Sequence, residues 1–238
     1  MAGKEWIAFA GALVAAGGVL TLPGDATESP VVRVSGRVTL AGSPPVAAAI
    51  DMSADAYCSG RHPSPVMDTG VRTDGSGGLA GVLVYVTDAP AGSGPPADPE
   101  ALLDQVDCLY APGAVALRVG ETLVIRNSDQ TLHNVRVSPT VNRGFNLGQP
   151  MRGIESRRSF ERPEVGIPVR CDIHGWMHAT VHVIDHGFYA ITGSDGSYRL
   201  PDLPAGEWTV EAWHPTLGTV SARATGGGTT TLDLELGG

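Results

Sequence analysis

The chain has 238 residues, of which 42% are hydrophobic and 17% charged, and this composition argues against general disorder and allows one large domain or two small ones. The formal net charge of −9 argues against nucleic acid as a partner of the whole molecule. Long helices tolerate glycine and proline poorly, so 32 glycines and 18 prolines favour short strands joined by many turns.

The first predicted element is an apolar run from Trp6 to Leu22 that ends at Pro23. The run is short for a bilayer span and slightly long for the core of a signal peptide. A cleaved export signal over residues 1–26 is the favoured interpretation, an uncleaved N-terminal membrane anchor is the alternative, and a buried core helix is the least favoured. An export segment of either kind predicts a periplasmic or extracellular protein, which contacts a membrane only if the segment is retained.

Alternating and β-branched runs predict strands along the rest of the chain, and no amphipathic helix of normal length is indicated after the N-terminal segment. Residues 41–81 are predicted to be loop with short strands, and the Pro/Gly-rich residues 89–100 an exposed loop. From Gly187 onwards the chain becomes a compact repeat of strands and turns, with a strong hairpin turn at Asp195-Gly196. The predicted strands before it are 31–40, 82–87, 114–119, 121–127, 133–137, 159–161, 167–171 and 179–184. The predicted fold class is all-β.

A short loop between two predicted strands carries three metal-binding side chains, Cys171, His174 and Met177, within seven residues. Copper that cycles between Cu(I) and Cu(II) needs soft sulfur together with imidazole, and a weak axial thioether helps to set its potential. A trigonal site needs a second imidazole, and His133, in a His-Asn-Val segment after an asparagine-containing turn, is the candidate. The alternatives are a strand histidine at His133, disulfide exchange at Cys171 and plain core packing at Met177.

These two motifs resemble those of the cupredoxins, the type-1 blue-copper proteins, and the C-x-x-H-x-x-M spacing is amicyanin-like. The resemblance covers roughly residues 119–183 and implies a Greek-key β-sandwich with one mononuclear type-1 copper. It also implies that Asn134 hydrogen-bonds across to the cysteine loop and holds the two ligand segments together. The copper ligands implied by the resemblance are His133, Cys171, His174 and Met177.

The order of segments along the chain is similar to that of bacterial cupredoxin-type proteins labelled methylamine-utilisation or carboxypeptidase regulatory-like domain proteins. This resemblance implies a cupredoxin-like domain at 31–186, with an N-terminal extension and a loop insertion, and a small transthyretin-like β module at 187–238. The strand at 31–42 is a candidate to complete that module. No peptidase is implied, because no H-x-x-E or H-E-x-x-H zinc motif occurs.

Three cysteines are an odd number, so if Cys171 is a ligand, Cys58 and Cys108 remain as a disulfide candidate. Two free buried thiols are the alternative. Weaker candidates for a further metal site, for which structural roles are favoured, are His62, His178 and His182.

A site with four protein ligands has no open position for a substrate, which favours outer-sphere electron transfer and predicts an electron carrier rather than an enzyme. The edge of His174, with Trp176 beside it, is the expected exit route. An exported redox protein, such as a c-type cytochrome or a dehydrogenase, is the partner implied by the resemblance. The alternative functions are a periplasmic copper storage or delivery protein and a metal-free structural or adhesion β-sandwich.

Charge is unevenly placed along the chain. Between Tyr110 and His186 there are nine arginines and seven acidic residues, a balance of +2, which leaves −11 for the remainder of the −9 total. This distribution indicates that the segment with the metal motif presents a different docking face from the rest, with chance surface variation as the alternative.

Overall fold

The computed structural model describes residues 1, 3, 31–68, 70–95 and 100–237. The export segment predicted at 1–26 therefore lies, apart from residues 1 and 3, outside the described residues. Across the described part of the chain, no helix is both long enough and apolar enough to cross a membrane.

The all-β prediction is confirmed, since the described residues form twenty strands and one short helix, α1 (Ala56–Arg61). The strands are β1 (Val31–Leu40), β2 (Ala48–Ala49), β3 (Met67–Asp68), β4 (Leu83–Val86), β5 (Glu100–Val106), β6 (Leu109–Ala111), β7 (Ala114–Arg118), β8 (Thr122–Asn127), β9 (His133–Val137), β10 (Phe145–Gln149), β11 (Glu155–Arg158), β12 (Glu164–Arg170), β13 (His178–Ile184), β14 (Tyr189–Ile191), β15 (Ser197–Arg199), β16 (Leu203–Pro204), β17 (Gly206–His214), β18 (Gly218–Gly226), β19 (Gly228–Thr231) and β20 (Leu234–Leu236).

The first sandwich contains the metal motifs and consists of two sheets, ordered β10-β9-β12-β13-β7 and β11-β8-β5-β6. Its core is built from side chains that alternate inward along these strands, as the period-two pattern of the sequence predicted. The fully buried members include Leu103, Ile125, Val135 and Val181. Cys171 and Met177 belong to this same core, so the ligand loop is packed into the sandwich rather than standing out from it.

The second sandwich combines C-terminal strands with two strands from before the metal motifs. One of its sheets has β1 at its centre, paired with β15, β16, β19 and β20, so the strand expected to complete the C-terminal module does pair with it. The other sheet has the order β14-β4-β17-β18. The domain boundaries expected from the sequence were 31–186 and 187–238, with the strand at 31–42 as a possible completion of the second module. In the structure, β4 also precedes residue 187 and belongs to the second sandwich together with β1, because the apolar faces of both strands are buried in its core.

The two sandwiches touch at His182, on β13 of the first, and Trp213, on β17 of the second. Their rings meet edge to face with centroids 5.1 Å apart. Gly166 lies beside them and its backbone N donates to Nδ1 of His182 at 3.2 Å. A Cβ on Gly166 would lie 2.5 Å from the Trp213 ring, so only glycine permits this close approach. Burial at this contact lowers the pKa of His182 to about 3.

We expect this histidine to make the protein acid-labile. In the unfolded chain His182 is protonated below about pH 6.5, whereas in the folded protein the buried ring stays neutral down to about pH 3. The free energy of unfolding is therefore at its full value above pH 6.5 and decreases as the pH falls from 6.5 towards 3. This one group should lower the free energy of unfolding by about 2 kcal/mol between roughly pH 7 and pH 5. Guanidinium midpoints of wild type and His182→Gln at the two pH values measure it. The midpoint should depend less on pH in His182→Gln than in wild type. It should keep the wild-type dependence in His178→Gln, which changes an exposed histidine of the same strand. Equal slopes in all three proteins would contradict the assignment.

Candidate metal centre

Three of the four predicted ligands meet at one end of the first sandwich. His133 begins β9, Cys171 directly follows β12, and His174 lies in the loop before β13. The Nδ1 atoms of the two histidines are 2.9 Å apart, the Cys171 Sγ is 3.9 Å from Nδ1 of His174, and the three ligand atoms lie within 4.8 Å of one another. Exposed fractions of 0%, 3% and 2% for His133, Cys171 and His174 show that this group is sealed from solvent.

Hydrogen bonds close the ligand loop into a tight turn. The backbone N of Cys171 donates to the carbonyl of Met177 at 3.1 Å, and the N of Met177 donates to the carbonyl of His174 at 2.9 Å. The backbone N of His174 also donates to the Cys171 Sγ at 3.4 Å. Met177 is 1% exposed and shares the core with Cys171, so the structure places the thioether side chain within the closed loop. Its role as the axial ligand stays a prediction.

Asn134 links β9 to the ligand loop. Its Oδ1 accepts from the backbone N of Asp172 at 2.6 Å and lies 3.4 Å from the Cys171 Sγ. Its Nδ2 donates to carboxylate and amide oxygens of Asp172 and Asn146, at 3.1 and 2.7 Å. The side chain therefore fixes the position of the thiolate relative to the strand that carries His133, which is the position expected from the sequence.

Each imidazole is held from behind by a carboxylate. Nε2 of His133 is 2.9 Å from Oδ2 of Asp129, and Nε2 of His174 is 3.1 Å from Oδ2 of Asp55. A carboxylate accepts a hydrogen bond from the Nε2 proton, so this arrangement turns the Nδ1 atom of each ring towards the centre. Sequence reasoning missed both acids. Asp55 lies 119 positions from its histidine and no local pattern marks it, while Asp129 lies in the turn before β9 without a motif of its own.

The Asp129–His133 pair is an ion pair inside the core. Burial on its own would raise the pKa of Asp129, but hydrogen bonds from His133 and from the backbone N atoms of Cys108 and Asp107 outweigh it and the pKa is lowered. Burial would likewise lower the pKa of His133, yet Asp129 and Cys171 outweigh it and raise the pKa to about 9. The first imidazole is thus held tightly in one orientation.

The two remaining charged groups follow the same logic. Burial would raise the pKa of Cys171, and hydrogen bonds from His133 and nearby groups outweigh it, so the net shift is downward and favours the thiolate that binds metals. Burial would also raise the pKa of Asp55, but the hydrogen bonds it accepts, from the backbone of α1 and from His174 and Thr131, bring the pKa to about 2. Asp55 is therefore a carboxylate at any physiological pH.

A short segment that we call the cap, residues 50–66 with α1, covers the outer side of His174. Asp55 is the N-cap of α1, and the helix carries Cys58, which the structure joins to Cys108 in a disulfide. The Cys58 Sγ is 3.7 Å from Nε2 of His174. The expectation of an exposed His174 edge was therefore wrong, because Asp55 and the disulfide fill the space through which solvent or a partner would reach that nitrogen.

The other half of the disulfide is tied to the site as well. Asp107 and Cys108 form the turn between β5 and β6 with positive φ values of 52° and 57°, a conformation that non-glycine residues rarely adopt. Both backbone N atoms donate to the Asp129 carboxylate at 2.8 Å, the same carboxylate that holds His133. The indole N of Trp176, in the ligand loop, donates to the carbonyl of Cys108 at 3.0 Å. Cap, turn and ligand loop thus form one connected network.

The remaining histidine candidates have other surroundings in the structure. Nε2 of His62 lies 2.7 Å from the carbonyl of Asp107, and Cys58 of the same C-x-x-x-H segment is in the disulfide. His178 is exposed while His182 is buried against Trp213. Neither is part of the His, Cys and carboxylate clusters found among the described residues.

The donor set fits copper. Two imidazole Nδ1 atoms and one thiolate converge, with a thioether in the same loop, and this combination of two histidines, one cysteine and a weak axial methionine is the one that blue-copper sites use. The carboxylates behind the histidines supply the supporting hydrogen bonds that metal-ligating imidazoles normally have.

Comparisons with known proteins give no family model that matches the chain and no curated protein that matches it. Solved structures of cupredoxins align with part of it. A purple cupredoxin from Nitrosopumilus maritimus is 22% identical over 35% of this chain and 97% of its own, with a TM-score of 0.30. The amicyanin from Paracoccus versutus is 20% identical over 42% of this chain and 96% of its own, with a TM-score of 0.31. A copper-containing nitrite reductase from Thermus scotoductus SA-01 is 21% identical over 41% of this chain but only 24% of its own, with a TM-score of 0.30.

Proposed function

We propose that this cupredoxin-like chain is an exported electron carrier with one type-1 copper, held by His133, Cys171, His174 and Met177. The observation that carries the proposal is the convergence of two Nδ1 atoms and one Sγ within 4.8 Å, in a core where each ring is fixed from behind by a carboxylate. Bound copper would supply a one-electron couple between Cu(I) and Cu(II).

The protein side chains favour electron transfer over bond chemistry. The three converging ligands are almost completely buried, so a substrate has no path to the centre. Hydrogen bonds that Asn134, Asp129 and Asp55 accept fix the ligand segments against one another, which limits rearrangement between the two redox states. A closed and rigid site suits an electron carrier, because it offers a substrate no place to bind.

Copper delivery is the weaker alternative. Handing a metal on requires ligands that a partner can reach, whereas here the cap covers the outer nitrogen of His174. Storage usually uses clustered methionines or histidines, and this chain has only five methionines, which are scattered. A metal-free adhesion sandwich would not account for the convergence of the buried His133, Cys171 and His174.

The compartment and the partner belong to the same proposal. The Cys58–Cys108 disulfide supports an oxidising location outside the cytoplasm, since disulfides persist there. We propose an exported redox protein, such as a c-type cytochrome or a dehydrogenase, as the electron donor or acceptor.

Copper loading tests the proposed function directly. Purified protein titrated with Cu(II) should take up one equivalent and develop an intense visible band from thiolate-to-copper charge transfer, giving a blue, purple or green solution. Cys171→Ser should lose this band completely, because the thiolate is its source. Met177→Leu, a change of similar volume in the same loop, should keep the band and shift the reduction potential upward. Reversible one-electron voltammetry of the loaded wild type then distinguishes a carrier from a store. A colourless adduct, or colour that survives in the serine variant, would sink the type-1 proposal.

A further inference from the structure

Because the cap covers His174, electrons must leave the centre by another route. Its outer nitrogen contacts Asp55 and lies 3.7 Å from the disulfide sulfur, so a partner cannot approach it. Cys171 is itself buried, but the residues on either side of it along the chain, Arg170 and Asp172, are both exposed. The shortest covalent connection from the thiolate to solvent therefore runs through the backbone at these two positions.

Strand register defines the surface around that point. Arg170 on β12 pairs directly with Arg136 on β9 and with His178 on β13, and Arg136 pairs with Asn146 on β10. Directly opposed residues project from the same face of a sheet, so these four exposed side chains form a row across four strands. We call this row the arginine row. It lies at the end of the sheet next to the ligand loop.

The second sandwich covers part of the same face of the sheet. Two-residue periodicity places Thr180 and His182 of β13 on the face that carries His178. His182 is covered by Trp213 of the second sandwich, whereas His178 remains exposed. The arginine row therefore lies on the part of this face that the second sandwich leaves open.

The charge of the row is positive and poorly compensated. Arg136 and Arg170 lie opposite each other, an arrangement of like charges that costs stability in a sheet. One acid, Asp172, lies near them, with its carboxylate 3.3 Å from Arg136. The positions that project on the same face to either side of Arg136 on β9, Asn134 and Ser138, are uncharged. A positive row thus stands out on a protein whose net charge is −9.

We propose that the arginine row is the docking surface for the acidic face of an exported redox protein, and that electrons pass there through the backbone beside Cys171. The inference rests on the proposed electron-carrier function. Charge complementarity selects the partner: an acidic face is attracted to the row, while the acidic remainder of the chain repels it elsewhere.

The sign of a salt dependence tests this proposal. In the reaction, hexacyanoferrate(III) takes one electron from the Cu(I)-loaded protein and becomes hexacyanoferrate(II). If the net charge governed the encounter, two anions would meet and added salt would speed the reaction by screening their repulsion. Docking at the arginine row predicts the opposite: stopped-flow rates should fall at least about threefold between roughly 10 and 300 mM ionic strength.

Matched variants locate the effect. Arg136→Gln/Arg170→Gln should slow oxidation by hexacyanoferrate(III) at low salt and abolish the fall with salt, but should not slow oxidation by the cationic tris(phenanthroline)cobalt(III). Arg223→Gln on the second sandwich is the control, since Arg223 is also exposed and also has one loose carboxylate partner, at 3.5 Å. Its rate constants should match wild type. The visible spectrum and thermal midpoint of the double variant should be retained, because both arginines are exposed and their mutual repulsion is removed.

A second experiment uses a protein as the redox partner. An acidic c-type cytochrome should exchange electrons faster than a basic one at low salt, and the double variant should remove this preference. A preference for the basic cytochrome, or a wild-type rate with hexacyanoferrate(III) that rises with salt, would overturn the docking surface while leaving the carrier function intact. Failure of the carrier function itself would appear earlier, as the lack of a coloured and reversible copper couple.

Discussion

Asp129→Asn should be the most damaging single substitution outside the ligands. The carboxylate is 1% exposed and accepts from His133, Tyr57 and the backbone N atoms of Asp107 and Cys108. An amide of the same shape has one acceptor instead of two and no charge, so it leaves a buried donor unsatisfied and His133 without its counter-charge. Breaking a buried pair of this kind costs about 3–5 kcal/mol, and losing the support of a metal-ligating histidine costs roughly 10- to 100-fold in metal affinity.

Two measurements separate these effects. The guanidinium midpoint of the copper-free protein reports stability, and competition with a Cu(I) chelator reports affinity. Asp88→Asn is the matched control, because the Asp88 carboxylate also accepts from a backbone N, that of Thr209, but is exposed and belongs to the second sandwich. It should change neither quantity appreciably. If Asp129→Asn lowered stability while copper affinity stayed at the wild-type value, its positioning role toward His133 would be refuted.

Removal of the disulfide should have the second large effect. Cys58 and Cys108 are separated by 50 positions, and a cross-link closing a loop of that length stabilises the folded state by about 4 kcal/mol in the chain-entropy model. Because α1 carries Cys58 and follows Asp55, losing the bond should also loosen the cap over His174. We therefore expect Cys58→Ala/Cys108→Ala to show a lower unfolding midpoint and faster hydrogen exchange over residues 56–61.

Copper release provides the functional measurement for this variant. Extraction of Cu(I) by a chelator should be at least roughly tenfold faster than in wild type, because local opening of the cap becomes easier and exposes the outer side of His174. Cys58→Ser/Cys108→Ser is the comparison. The surroundings of this pair are apolar, including Met52, so a buried hydroxyl should cost more stability than a methyl group. Release at the wild-type rate, with faster exchange in α1, would show that the cap does not guard the centre.

The correction concerning His174 connects these predictions. The sequence led us to expect the edge of His174, with Trp176 beside it, as the exit route for electrons. In the structure, a segment more than a hundred residues earlier covers it. Protection of the centre and the closed approach to the outer nitrogen of His174 both follow from that one tertiary contact.

The sequence by itself determined the parts of this protein that depend on neighbours along the chain. Cys171, His174 and Met177 share one turn because only six positions separate the first from the last. The alternation of apolar and polar residues with a period of two predicts which face of each strand is buried. The His-Asn-Val segment pointed to His133, and its resemblance to the cupredoxin motif implied the bridging role of Asn134.

Only the tertiary structure decided which distant groups meet. Strand β4 joins the C-terminal strands although the metal segment intervenes, because burial of an apolar face selects a partner by shape and not by order in the chain. Asp55 and Asp129 acquire their roles from hydrogen bonds formed after folding, and a lone aspartate in a loop carries no periodic signal. The opposition of Arg136 and Arg170 likewise depends on strand register, which is set by side-chain packing across the whole sheet.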